Sequence, residues 1–264
     1  GLGDVYKRQD PSAGCCMILP DWARRLNHTS LLNALQMYVT ALVTHFKGRV
    51  QQYEIWDEAN VYFGNGNWPL DRIIDVIKME TITIRAIDPD AKICIDLMNM
   101  TPYSRNLQNQ WGRSNWTTED FVEELIAAGV PFDIIGLETR YANGPAECAG
   151  GIDTLYYRLA ELAKFGKPMY IWEDGMTSFI DPKHESEMSG DWWSGTWHGR
   201  PSEEKQAEFM VAETIVYLGN PSVLGVRWLM LGDEPQWPVF WNVYDGVLSA
   251  SGARKQSFYA LEAF

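Results

Sequence analysis

KPMYIWEDG, residues 167–175, sets an apolar run, Met169–Trp172, directly ahead of two acids, Glu173 and Asp174. A short apolar run of this kind reads as a buried strand. QQYEIWDEAN, residues 51–60, repeats the arrangement: the strand-like Val50–Trp56 runs into Asp57 and Glu58. In both places the carboxylates stand just past a strand's C-terminal end. The same holds for Asn99 after Lys92–Leu97, for Glu138–Tyr141 after Asp133–Leu137, and for Asp233–Trp237 after Val223–Met230. Gly14–Leu19 adds one more strand-like run near the start.

Helical patterns fill the intervals. They are Leu31–Phe46 with Ser30 as its cap, Leu70–Ile87 stopping before Asp88-Pro89, and Thr118–Ala128 with a Thr cap and Gly129 beyond it. Ile152–Phe165 closes at Gly166, Ser202–Tyr217 is capped by Ser202, and Gln256–Ala263 is the last. Six strand-then-helix units in series imply a parallel sheet with buried, near-continuous strands and helices outside. An open doubly wound sheet and a (β/α)8 barrel both fit that alternation. The glycine fingerprint of a dinucleotide-binding sheet is missing. Polar and aromatic residues gather after strand C-termini, the face on which barrels build active sites, so the expected fold is the barrel.

Glu58 and Glu173 lie 115 positions apart, which is about three units at about 31 residues each and a little more with long loops. If Glu173 ends strand 7, Glu58 ends strand 4. Four strands before Glu58 would need about 100 residues, and only 57 precede it. The expectation is therefore a partial barrel over residues 10–264, with strands 3–8 present and strands 1 and 2 missing. Residues 1–9, GLGDVYKRQ, read as a foreign, adapter-like segment.

The chain has 264 residues, 35 Asp+Glu against 22 Lys+Arg, and a formal net charge of -13, which argues against a nucleic-acid partner. No run is long and apolar enough to span a membrane, so no membrane partner is expected. Four Cys without a CxxC, and His184 and His198 without a third regularly spaced ligand, give no reason to expect a metal or other cofactor. Twelve Trp are unusual and point to large aromatic cores or to a site that stacks on flat ligands such as sugars. Trp192, Trp193 and Trp197 read equally well as a sugar-stacking lid or as a plug on the rim. Trp56 and Trp172 read as walls of the core. Two carboxyls facing each other across a barrel mouth suit glycoside hydrolysis.

At these residues the sequence resembles a known group. YEIWDEAN at 53–60 resembles the acid/base motif of clan A glycoside hydrolases, and KPMYIWEDG resembles their strand-7 nucleophile motif. FDIIGLETRY at 132–141 is similar to the strand-6 segment of family 10, the xylanase family, and MILPDWARR at 17–25 to its third strand. EEKQAEFM at 203–210, GVRWLMLGDEPQW at 225–237 and DGVLSASGARKQSFYAL at 245–261 follow that family's order through helix 7, strand 8 and the tail.

The resemblance implies a retaining enzyme on a plant β-1,4-glycan such as xylan, with Glu58 as acid/base and Glu173 as nucleophile. It makes Trp228 and Trp237 walls of the sugar subsites, Trp22 a third wall, and Tyr141 a hydrogen-bond donor to the nucleophile. It implies a polysaccharide or oligosaccharide partner and a secreted or periplasmic location, and leaves the oligomeric state open. Four positions depart from the family pattern. Asp57 replaces an Asn, Glu138 replaces a Gln, Arg140 stands two residues beyond it, and Trp172 precedes the nucleophile in place of a polar residue. Those departures keep two other readings open: a carbohydrate-binding barrel that does not cleave, and another clan A specificity such as an exo-acting β-xylosidase or a galactanase.

Overall fold

The structure is a computed structural model that describes residues 21–56, 58–60, 68–97, 116–139, 151–180, 182, 198–235 and 244–263. The elements in chain order are α1 (Asp21–Arg24), α2 (His28–Phe46), β1 (Gln52–Ile55), α3 (Leu70–Ile87), β2 (Lys92–Leu97), α4 (Thr118–Ala127) and β3 (Ile134–Glu138). They continue with α5 (Gly151–Leu162), extended by one 3-10 turn to Phe165, then β4 (Met169–Asp174), α6 (Glu203–Leu218), β5 (Val223–Trp228) and α7 (Gln256–Glu262). The strands form one sheet in the order β1-β2-β3-β4-β5, so chain neighbours are sheet neighbours. β1 and β2 run parallel from Gln52↔Lys92 to Ile55↔Ile95, and β4 and β5 are parallel as well. Each crossover between successive strands passes through a helix, as parallel pairing requires.

The chain divides into two compact units, residues 1–97 with 108–136, and residues 98–107 with 137–264. In the first, α2 and α3 pack together and bury Leu31, Val43, Ile73, Val76, Ile77 and Ile84. From Ile93 to Leu97 every residue of β2 is buried, as a strand covered on both faces should be. Arg85 of α3 locks the entry to the next strand. Its guanidinium donates to the Pro89 and Ala91 carbonyls and to the Asp133 carboxylate, which also accepts the Ile93 N–H at 2.8 Å. In the second unit, Leu155, Leu159, Met169, Ile171, Phe209 and Met210 form the core.

The helix caps follow side-chain chemistry. Thr117 accepts the Asp120 N–H and Ser202 accepts the Lys205 N–H, and each helix carries acids in its first turn, where the dipole favours them. One expectation is corrected: α2 is capped by Asn27, whose Oδ1 accepts the Ser30 N–H at 2.9 Å. His28 and Thr29 add a polar turn that apolar spacing does not reveal. β5 also departs from the expected burial, with Leu224 and Val226 exposed; it stands last in the sheet order, so no described strand pairs with its outer side. Of the segment expected as a third strand, Asp21–Arg24 is helical, and Gly14–Leu19 lies outside the described residues.

Candidate active site

β1 ends in a left-handed bend. Trp56 has φ 60° and Glu58 has φ 50°, a region that side chains other than glycine rarely enter. Such residues cost of order 1–3 kcal/mol each and persist only where neighbours impose them. The neighbours here are backbone partners. The Ala59 N–H donates to the Asp96 carbonyl at 3.2 Å, and the Trp116 N–H donates to the Asn60 carbonyl at 2.9 Å. The Asn60 amide donates back to the Trp116 carbonyl at 3.0 Å. This clamp holds Glu58 at 6% exposure. Trp56 packs edge-on against Trp68, ring centroids 6.0 Å apart, and the Arg72 guanidinium lies 3.9 Å above the Trp68 ring. Trp56 thus stands just past the end of β1 and is half-buried, not a wall of the core as expected.

Glu173 belongs to the second unit, inside β4. Ile171 pairs with Val226 and Asp174 with Trp228, so two residues of β4, Trp172 and Glu173, span one residue of β5, Arg227. This is a β-bulge, a device that re-aims side chains. It breaks the alternation: Trp172 and Glu173 are both partly exposed, and Asp174 is buried. Arg227 fills the gap opposite. Its Nε donates to the Trp172 carbonyl at 2.8 Å, its guanidinium lies 5.0 Å above the Trp172 ring, and Nη2 is 4.0 Å from Glu173 Oε1. Glu173 keeps 20% of its side chain exposed, beside that cation.

Asp174 is a neighbour in sequence only. It is 1% exposed, so it has no access to a substrate. Its Oδ1 accepts the Thr139 hydroxyl at 3.2 Å and the Gly175 N–H at 3.0 Å, and the Glu213 carboxyl of α6 acts on it as well. Thr139 Oγ1 lies 2.8 Å from the Tyr217 hydroxyl, and the Thr139 N–H donates to the Glu173 carbonyl at 2.8 Å. Burial pushes the Asp174 carboxyl from its ordinary 3.8 up to about 7, against the smaller lowering effect of those hydrogen bonds. Glu213, Thr139 and Tyr217 were not among the residues expected from sequence. Their spacing carries no motif, and only the pairing of strand and helix brings them to Asp174.

Trp228 ends β5, and its indole N–H donates to the Asp245 carbonyl at 2.6 Å. The chain around Asp245 is held in turn by two buried side chains. Gln206 donates to the Met176 carbonyl at 2.8 Å and the Asp245 carbonyl at 3.2 Å, and its oxygen accepts the Ser257 hydroxyl at 2.7 Å. Lys255 donates to Asp233 Oδ1 at 2.6 Å, Ser178 Oγ at 2.7 Å and the Gly246 carbonyl at 2.8 Å. Residue 246 must be glycine, because a Cβ there would meet the Gly232 carbonyl carbon at 2.3 Å.

Of the other expected site residues, Glu138 is fully buried at the end of β3 and Trp22 is 60% exposed on α1. Asp57, Arg140, Tyr141 and Trp237 lie outside the described residues, as do Asn99, His184 and the Trp192–Trp197 loop. His198 is exposed beside Glu208, with Nδ1 3.6 Å from Oε2. Among the described residues no group of three or more His, Cys, Asp or Glu could hold a metal ion.

With this geometry in hand, comparison with known proteins is decisive for ancestry. Glycosyl hydrolase family 10 matches residues 17–237. The chain belongs to glycosyl hydrolase family 10. This family 10 chain is 31% identical over 134 residues to endo-1,4-beta-xylanase A of Phanerodontia chrysosporium, 48% of this chain and 30% of that protein. It is 21% identical over 188 residues to endo-1,4-beta-xylanase B of Neocallimastix patriciarum, 67% of this chain and 20% of that protein. The chain thus spans a third or less of these relatives' length. Among solved structures it resembles xylanase 10B from Thermotoga petrophila RKU-1 in complex with xylobiose, at 21% identity and TM-score 0.64, covering 93% of this chain and 69% of that one. It also resembles the Ignisphaera aggregans GH53 catalytic domain, at 16% identity and TM-score 0.70, covering 96% of this chain and 69% of that one. The fold is the (β/α)8 barrel fold expected from the sequence, and the described residues contribute five of its parallel strands.

Proposed function

We propose that this family 10 chain carries the catalytic residues of a retaining β-glycoside hydrolase that cleaves a xylan-like β-1,4-glycan. Glu173 is the nucleophile and Glu58 the acid/base. The observation that carries the reading is the bulge in β4. It lifts Glu173 out of the buried row at a strand's C-terminal end, partly open to solvent, with Arg227 alongside. A carboxylate nucleophile must be reachable by its substrate. Glu58 supplies the contrasting environment, 6% exposed at the end of another strand. Two carboxyls in unlike surroundings are the usual basis for dividing acid and nucleophile roles.

In the first step Glu58 gives its proton to the glycosidic oxygen while a Glu173 oxygen attacks the anomeric carbon. The aglycone leaves as an alcohol and a glycosyl-enzyme ester remains. In the second step Glu58 takes a proton from water, the water oxygen attacks the same carbon, and Glu173 leaves as carboxylate. The two inversions return the original anomer. Trp228, Trp22 and Trp237 stack on sugar faces, and Tyr141 donates to Glu173. Asp57 accepts a hydrogen bond from a sugar hydroxyl and Arg140 completes the polar wall, whereas Glu138, expected there from sequence, is fully buried and does not reach the sugar. The names of the curated relatives, endo-1,4-beta-xylanases, support xylan as substrate class.

The replacements at Asp57, Glu138 and Arg140 favour a second reading, a barrel that binds the glycan without cleaving it. A Glu173→Gln variant separates the two. Wild type is expected to release reducing sugar from xylo-oligosaccharides with the β-anomer formed first. The variant is expected to lose at least about a thousandfold in kcat and to keep oligosaccharide binding. A wild type that binds xylo-oligosaccharides and never hydrolyses them establishes the second reading instead.

A further inference from the structure

Two carboxyl side chains share one buried space behind the end of β4. Asp174 and Glu213 are each 1% exposed, and the Glu213 carboxyl acts on that of Asp174. Two carboxyls buried side by side repel if both are ionised, and a proton on one of them relieves this. The other partners of Asp174, the Thr139 hydroxyl and the Gly175 N–H, are neutral donors. The charged and titratable groups nearest in sequence on the neighbouring elements are Glu173 on β4 itself, Glu138 at the end of β3, Tyr217 one turn from Glu213 on α6, and Arg227 on β5. Arg227 turns to the Trp172 carbonyl and to Glu173.

We propose that Asp174 and Glu213 hold a single proton between them, and that this singly charged pair is the positioning device that sets the end of β4 and, with it, the Glu173 carboxylate. The functional half of this inference rests on Glu173 being the nucleophile; the shared proton does not. The backbone at Glu173 and just after it is tied down beside the pair. Thr139 donates its N–H to the Glu173 carbonyl and its hydroxyl to Asp174, and the Leu229 N–H donates to the Asp174 carbonyl at 2.8 Å. With the Thr139 hydrogen committed to Asp174, the 2.8 Å contact requires Tyr217 to donate to Thr139 Oγ1. Glu213 and Tyr217 are four residues apart on α6 and so occupy one face. One helix face therefore supports both ends of the network.

Burial has pushed Asp174 up to about 7, which sets the direction of the pH dependence. An unfolded chain sheds this proton near 3.8, the ordinary value, and the folded chain near 7. Between those values the folded state binds more protons, so its stability falls as pH rises through the window and levels off above it. Above the window a second charge appears beside Glu213 and next to Glu173, and the device loosens.

The test uses the full chain and the isosteric variants Asp174→Asn and Glu213→Gln. Infrared difference spectra at pH 6 are expected to show one protonated carboxyl fewer per chain in Asp174→Asn than in wild type. Reading the difference removes the contribution of Glu80, a half-buried acid of the first unit pushed up to about 8 by desolvation. Calorimetry from pH 4 to 7 is expected to show a wild-type stability slope steeper than either variant's by up to about one proton. With a xylo-oligosaccharide substrate, the alkaline limb of kcat/KM moves to higher pH in Asp174→Asn. An unchanged carboxyl count together with an unchanged slope in both variants overturns the shared proton. An unshifted alkaline limb overturns the positioning role. If the chain hydrolyses nothing, the infrared and calorimetric results still decide the pair, so failure of the nucleophile assignment is told apart from failure of this one.

Discussion

Trp56 and Glu58 occupy left-handed backbone because Ala59 and Asn60, both fully buried, are tied down immediately after them. The tie nearest Glu58 that is made by a side chain is the Asn60 amide on the Trp116 carbonyl. Asn60→Ala removes it and leaves a buried carbonyl short of a donor. It should cost about 1–3 kcal/mol in urea denaturation, with a larger fractional loss in kcat than in KM if the bend positions Glu58. An effect under about 0.5 kcal/mol, with kinetics unchanged, would remove Asn60 from the clamp. At this scale the sequence was informative where function depends on a local motif. An acid after an apolar strand marked Glu58 and Glu173. It was silent on Glu213, Thr139 and Tyr217, which reach Asp174 across 35 to 43 positions and belong to no short pattern. Asp174 shows the same limit. Beside Glu173 it reads as a second candidate acid, and only the bulge and the helix behind it reveal a buried group.

The elements themselves were legible because period and caps agree. α3 and β2 have the boundaries the sequence predicts, and Thr117 and Ser202 cap where a hydroxyl precedes an acidic first turn. The bulge in β4 was not legible, since no residue in MYIWED announces a register shift that depends on Gly225 and Arg227 of the next strand. Nor was the buried Lys255, which sits just ahead of α7 and looks like any solvated lysine. It is 3% exposed and bonds Asp233, Ser178 and two backbone carbonyls around Asp245. Lys255→Met should therefore strand a buried Asp233 and cost about 3–5 kcal/mol, read from chemical denaturation. The same variant releases the Tyr244 and Gly246 carbonyls on either side of Asp245, whose own carbonyl accepts from Trp228, so oligosaccharide affinity should drop alongside stability. A Lys255→Met protein as stable as wild type would show that the ion pair contributes nothing to this corner.

For the whole molecule, the alternation of strand and helix led to the barrel, and acids and aromatics gathered after strand ends indicated which face carries function. Family 10 membership agrees with the barrel. The acidic balance of -13 bears on partners, and a neutral glycan is the kind of ligand that needs no basic face. The central claim is that Glu58 and Glu173 act together on one glycosidic bond. The measurement that tests it most directly is the distance between their carboxyl carbons in a crystal structure with a bound xylo-oligosaccharide. A retaining pair predicts about 5–5.5 Å with the scissile oxygen between them. A separation of about 6.5–9.5 Å would contradict retention, and two acids facing different solvent regions would contradict the catalytic pairing itself.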